Sequence, residues 1–387
     1  MKEIYLDNSA TTKICDEALN EYVRVSKECY GNPSSLHSLG FSAEKLLDSV
    51  RADICSSLNI KGASIIFTAS GTEANNLAII GRAMAKERYK KGAKIITTMG
   101  EHASVDAPLN MLSSLGYKVV RIPTVNGKID LEELKPELTK DVILISMMMV
   151  NNETGALYDT LEVSKLMKVN CPEALLHIDA TQSYMKIPFT KQKCGADMIT
   201  ISSHKIEGPK GVGALVVDAS VMKSKGLAPL ILGGGQEGGM RSGTENVPAI
   251  AAFGEAIRIG NAKIRERYAH TNGLREMIIK RISEEIPEIT ITNPENHAPH
   301  ILNVTLPKIK SETMLHYLSS LGIYVSSGSA CSSNTGHTSS ALKAFGKSDS
   351  EADSSIRISL SHRNSEEDVA ALIDGLKSGV AQLSRIR

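Results

Sequence analysis

Two hydrophobic rhythms alternate through the middle of this chain. Short β-rich apolar runs occupy Ser64–Phe67, Lys94–Thr98, Lys118–Ile122, Val142–Met147, Leu175–Ile178, Met198–Ile201 and Val212–Val217. Between them lie stretches of helical character, Glu73–Lys90, Val105–Leu115, Leu131–Leu138 and Leu161–Val169. Strands alternating with helices predict a largely parallel sheet covered on both faces. A nearly continuous apolar strand such as Val142–Met147 fits burial from both sides. From about Thr244 to Glu285 the rhythm becomes helical, with Ile250, Phe253, Ile257 and Ile264 at helical spacing. Pro287 and the Asn293-Pro294-Glu295-Asn296 stretch break it. Strand His300–Val304, helix Glu312–Ser320, strand Ser354–Leu360 and helix Glu366–Leu383 follow. The expected organisation is a large domain over 15–259 and a smaller α+β domain made of 1–14 with 260–387. Ser326 to Ser340 is dominated by Ser, Gly, Thr and Asn, which cannot bury apolar surface, and reads as a mobile loop.

Bulk composition narrows the class. At 387 residues, 42% hydrophobic and 22% charged, the chain has ample material for a buried core and ordinary globular character. A formal net charge of +1 argues against a dedicated nucleic-acid binder, which needs a basic excess. No apolar run approaches the roughly 20 residues that cross a bilayer, and Met1 to Ala10 lacks the basic and apolar regions of a secretory signal. The expected location is cytoplasmic. The six cysteines, Cys15, Cys29, Cys55, Cys171, Cys194 and Cys331, contain no C-x-x-C pair and no zinc spacing. A disulfide framework is not expected, and no metal site is read.

Chemistry gathers at the strand ends. Lys205 lies just after one apolar run and Asp179 ends another. A lysine and an acid so placed suggest a Schiff-base lysine and a carboxylate that keeps a pyridine nitrogen protonated, the pairing pyridoxal phosphate (PLP) requires. Thr68-Ala69-Ser70-Gly71-Thr72-Glu73 follows a strand and opens a helix, a place where free N–H groups and Gly71 could receive a phosphate. Each feature has a plainer explanation. The turn could be a Ser/Thr helix cap, Asp179 could cap the turn before Thr181, His102 could be a satisfied polar residue, and Lys210 rivals Lys205. Their joint order along an open α/β sheet is harder to dismiss, because ligands bind at the carboxyl ends of such strands.

Motifs spread over nearly the whole chain carry a family resemblance. Tyr5-Leu6-Asp7-Asn8-Ser9-Ala10-Thr11-Thr12, Gly31-Asn32-Pro33-Ser34-Ser35, Glu101-His102, Val150-Asn151-Asn152-Glu153, Asp179-Ala180-Thr181-Gln182-Ser183, Ser203-His204-Lys205-Ile206, Arg241-Ser242-Gly243-Thr244 and Ser326-Ser327-Gly328-Ser329-Ala330-Cys331 resemble the cysteine desulfurases of the NifS/IscS group. These are class V members of the PLP fold-type I superfamily. The resemblance implies that fold, with a large domain built on a mostly parallel mixed sheet and a smaller α+β domain.

The same resemblance implies site roles. Lys205 would carry the PLP, Asp179 would hold the pyridine N–H, and Gln182 and Asn152 would bond the phenolic oxygen or the ring surroundings. His102 would stack on the ring and act as acid/base. Gly71, Thr72, Ser202 and His204 would receive the phosphate. Thr244 would reach the phosphate of the other subunit, making a homodimer part of the site. Arg357, assisted by Asn32, would clamp the substrate carboxylate, a job suited to a bidentate guanidinium. Cys331 matches the family's nucleophile, and the segment through Gly336 and His337 to Leu342 resembles its extended-loop group. The implied activity converts L-cysteine to L-alanine and a persulfide on Cys331, destined for a sulfur-acceptor or scaffold protein in iron–sulfur assembly or thiolation. A selenocysteine lyase or another fold-type I enzyme such as an aminotransferase is the alternative. A catalytically dead scaffold would have no need of Lys205, Asp179 and His102.

Overall fold

The computed structural model describes residues 3–85, 93–327 and 339–383. Its centre is a seven-stranded sheet in the order Ser64–Thr68, Gly213–Val217, Met198–Ser202, Leu175–Asp179, Val142–Met148, Lys94–Thr98 and Lys118–Ile122. Gly213–Val217 pairs antiparallel with both neighbours, and every other pairing is parallel. Six strands therefore end on one edge of the sheet. All seven residues of Val142–Met148 are buried, as its unbroken apolar run predicts.

Helices cover both faces. Gly71–Ala83 and Ala103–Ser114 pack with Ile66, Ile95, Leu144 and Leu215 on one side. On the other side, Ser38–Ser57 and the first half of the 39-residue helix Val247–Glu285 pack against Phe67, Ile145, Ile178 and Ile201. The second half of that helix contributes Leu274, Ile278 and Ile282 to a separate core, shared with Ile4, Leu6 and the elements after residue 300. That core lies against the antiparallel sheet Thr290–Thr292, Ile301–Thr305, Ser355–Ser359 and Ser326–Ser327.

Several boundaries differ from expectation. The helix expected over Glu73–Lys90 ends at Ala83, and 86–92 lie outside the described residues. Helices Asp16–Glu28 and Ser38–Ser57 are absent from the expected set. The expected loop from Ser326 begins instead with a strand, Ser326–Ser327, whose residues are buried against Ser355–Ser359. At its other end, the Ser339 side chain caps helix Ser340–Ala344 by accepting from the Leu342 N–H. No helix among the described residues is long and apolar enough to cross a membrane.

Candidate active site

The carboxyl edge of the sheet gathers the candidate residues. Strand Ser64–Thr68 turns into helix Gly71–Ala83 through Ser70, whose Oγ accepts from the Glu73 N–H at 3.1 Å. A side chain at Gly71 would stand 3.2 Å from Ser202 Cβ and 3.3 Å from Thr181 Oγ1, so glycine leaves a hollow between the helix start and these residues. Ser202 Oγ is buried there with no hydrogen-bond partner among the described residues. Thr72, in the first helical turn, is exposed. Free amides and the dipole make such a helix start receptive to an anion.

Asp179 ends its strand 5% exposed. Its Oδ1 accepts from the Thr181 N–H at 2.9 Å and its Oδ2 from Asn75 Nδ2 at 2.8 Å. The Asn75 amide also donates to Ser104 Oγ at 2.8 Å, which lies 2.7 Å from His102 Nδ1. His102 caps helix Ala103–Ser114, its Nδ1 accepting from the Ser104 N–H at 3.1 Å. Burial holds the His102 imidazole below its usual range. Neighbouring Glu101 is fully buried, which pushes its carboxyl up to about 8.

Lys205 closes a 3₁₀ turn after strand Met198–Ser202, and its Nζ donates to the Ser9 carbonyl at 2.5 Å and the Ala10 carbonyl at 2.9 Å. Gln182 Nε2 donates to the same Ser9 carbonyl at 2.9 Å, while its buried Oε1 has no partner among the described residues. His204 Nδ1 meets Thr11 Oγ1 at 3.1 Å, and burial with nearby Lys205, Lys210 and Lys186 takes it down to about 4. Lys210, the rival lysine, is exposed. The N-terminal segment thus crosses the site as a strap of carbonyls and hydroxyls.

Arg357 comes from the smaller sheet and is 7% exposed. Its guanidinium donates to Asp7 Oδ1 and to the Asn152 carbonyl, each at 2.9 Å, and leaves Nε without a partner among the described residues. Asn152 contributes its backbone here. The turn that holds it is built by Asn151, whose Oδ1 accepts from the N–H groups of Glu153 and Thr154. Glu153 bonds Ser339 Oγ at 2.5 Å, and burial pushes its carboxyl up to about 7. Exposed Asn32 turns its Oδ1 to the Ser34 N–H at 2.9 Å. Thr244 is exposed and lines a cleft of about 170 Å³ with Thr68, Ala69 and Arg241. Cys331 lies outside the described residues. Among those residues, no cluster of His, Cys, Asp and Glu could hold a metal ion.

The donor set fits PLP. A buried polar atom left unpaired costs about 1–3 kcal/mol, and Ser202 Oγ, Gln182 Oε1 and Arg357 Nε are three such atoms. The hollow at Gly71 suits a phosphate, Asp179 a pyridine N–H, and Lys205 a covalent link. Asn75, Ser104, Asp7 and the Ser9 carbonyl are parts of the site that the motif reading leaves without a role. Asn75 is a buried polar residue of helix Gly71–Ala83 to which the motifs assign no role.

Comparison with known proteins agrees with this architecture. The Aminotransferase class-V family profile matches residues 4–372. Cysteine desulfurase IscS 1 of Archaeoglobus fulgidus is 38% identical over 380 residues, covering 98% of this chain and 97% of that protein. Cysteine desulfurase IscS of Dictyoglomus turgidum is 36% identical over 387 residues, covering 100% and 96%. Among solved structures, a NifS-like protein superposes with a TM-score of 0.90 at 34% identity, covering 98% of this chain and 100% of that one. A structure described as SspA in complex with cysteine has a TM-score of 0.80 at 29% identity, covering 93% and 99%. The chain belongs to the aminotransferase class-V family and is a PLP-dependent enzyme of fold type I. Within that family it falls in the NifS/IscS group of cysteine desulfurases.

Proposed function

We propose that this cysteine desulfurase takes sulfur from L-cysteine, releases L-alanine and holds the sulfur as a persulfide on Cys331. The observation that carries this reading is the convergence of Lys205, Asp179, His102 and Arg357 on one sheet edge, with buried polar atoms unpaired around them. Bound PLP supplies an electron sink for negative charge developing at the substrate Cα. Arg357 clamps the substrate carboxylate, supported by Asn32. Asp179 holds the pyridine N–H by a charge-assisted bond, while Gln182 and Asn152 flank the ring. Gly71, Thr72, Ser202 and His204 receive the phosphate. Lys205 would anchor the cofactor, and its Nζ would take the substrate Cα proton. His102 would stack on the ring and handle a second proton.

The Cys331 thiolate attacks the substrate sulfur. The new S–S bond forms as the Cβ–S bond breaks, and the electron pair left on carbon is protonated to give alanine. Burial raises the thiols of Cys15, Cys55, Cys171 and Cys194, that of Cys171 to about 11, which makes them poor nucleophiles at neutral pH.

The functional unit we infer is a cytoplasmic homodimer in which Thr244 reaches the partner's phosphate. Tyr30, Leu36, Leu39, Phe41 and Leu232 are exposed on a single chain and supply apolar surface for a second copy. The persulfide passes to a sulfur-acceptor or scaffold protein, with iron–sulfur cluster assembly the leading destination. Residues 15–259 form the large domain in this reading, and 1–14 with 260–387 the small one. Neither nucleic acid nor membrane is a partner.

The test is alanine and persulfide production from L-cysteine. Cys331→Ala keeps the visible absorbance of bound PLP and loses persulfide. Full sulfide release by that variant would sink the nucleophile assignment. Lys205→Ala loses the lysine-linked absorbance band, and borohydride tagging of Lys210 would move the link elsewhere.

A further inference from the structure

Asp179 and His102 are joined through two side chains, Asn75 and Ser104, that have no assigned part in the reaction. Asn75 is 1% exposed, and its Nδ2 lies 2.8 Å from both Asp179 Oδ2 and Ser104 Oγ. An ionised carboxylate only accepts hydrogen bonds, so the amide must turn its NH₂ toward Asp179. The second N–H of the same group then goes to Ser104 Oγ. Having accepted that bond, the Ser104 hydroxyl donates its own proton to His102 Nδ1, 2.7 Å away. The Ser104 backbone N–H donates to the same nitrogen at 3.1 Å. His102 Nδ1 therefore faces two donors.

We propose that Asn75 and Ser104 are positioning residues that fix His102 as a neutral imidazole with its proton on Nε2, and that the shared Asn75 amide ties this state to Asp179. The inference rests on His102 being the acid/base of the site. A histidine left to itself distributes between two tautomers and an imidazolium. Here protonation at Nδ1 would confront the Ser104 hydroxyl proton and backbone N–H, so the neutral form is retained and the exchangeable proton stays at Nε2. Of the charged groups that face the ring, Asp179, at the end of strand Leu175–Asp179, and Asp106, on the ring's own helix, favour the imidazolium. Lys205, from the 3₁₀ turn, and Arg357, from the smaller sheet, oppose it. Burial acts in the same sense as the two bonds donated to Nδ1.

The experiment is an NMR titration of the histidine ring nitrogens in PLP-loaded enzyme carrying labelled histidine, with His102→Gln to assign the signal. Wild type is expected to show the Nε2–H tautomer and a midpoint below 6.5. Ser104→Ala removes one donor and raises the midpoint by roughly half a unit to one unit, the worth of one hydrogen bond. Asn75→Leu acts in the same direction, because a Ser104 hydroxyl with no donor of its own is free to accept from the imidazolium. Ser104→Thr preserves the wild-type midpoint. The acid limb of the kcat–pH profile moves with the NMR midpoint. An Nδ1–H tautomer in wild type, or an unchanged midpoint in Ser104→Ala, overturns the proposal. Ser104→Ala keeps the Asn75–Asp179 bond and decides the matter if Asn75→Leu does not fold. Alanine release from L-cysteine is measured on the same samples. Its absence in wild type would overturn the activity proposed above and leave the histidine result standing.

Discussion

Arg357 shows how a residue can be held and still be available. Asp7 and the Asn152 carbonyl fix its plane, and the unpaired Nε keeps bonding capacity for a carboxylate. A lysine carries the charge without the planar fork. Arg357→Lys is therefore expected to raise KM for L-cysteine by about 10–100-fold, the loss of one charge-assisted bond, as steady-state kinetics would read. Gly71→Ala makes a different prediction at the same scale. Its methyl would intrude on Ser202 and Thr181, so PLP affinity should fall while the apo fold persists, measurable by equilibrium dialysis. Lys205 and Asp179 were legible from their places at strand ends, whereas Arg357 and the role of His102 were legible only through the family resemblance. Asn75 and the Ser9 carbonyl were not. Asn75 meets Asp179 across 104 positions of chain, and a backbone carbonyl has no residue signature at all.

At the level of elements, continuous apolar strands announced themselves and polar-faced helices did not. Helix Ser38–Ser57 buries Ala43, Leu47, Val50 and Ile54, a clear helical repeat, yet serines and charged residues between them mask it. The helix matters because it packs on Val247–Glu285 by way of a glycine. A methyl at Gly254 would stand 2.6 Å from Val50 Cγ2. Gly254→Ala gains about 1 kcal/mol of helix propensity against about 1–3 kcal/mol of overpacking. The variant should be less stable, and Val50→Ala in the same chain should recover part of the loss. Urea unfolding midpoints of both single variants and the double variant would measure that coupling. Fraying limits were the least legible part. The stop at Ala83 has no proline to mark it and no glycine immediately after it.

For the molecule as a whole, buried acids set a pH dependence. Glu101 is raised from its usual 4.5 to about 8 by burial. Its folded form binds the proton more tightly than its unfolded form, so its contribution to stability is full below about 4.5 and is lost as pH rises through about 8. Glu101→Gln should flatten the fall of the urea midpoint between about pH 5 and 8. An unchanged slope would place the burden on another group, with Glu153, raised to about 7, the next to replace. The N-terminal strap has a consequence in time. Ser359 takes the Leu6 carbonyl on its N–H and supplies its own carbonyl to Asn8, while Ser9 and Ala10 hold Lys205. The residues of the strap thus wait for a strand 350 positions later. At roughly 5–20 residues per second that is a delay of roughly 20 to 70 s. The nascent chain can build its central sheet on the ribosome, but its cofactor pocket can be completed only after Ser359 has been made.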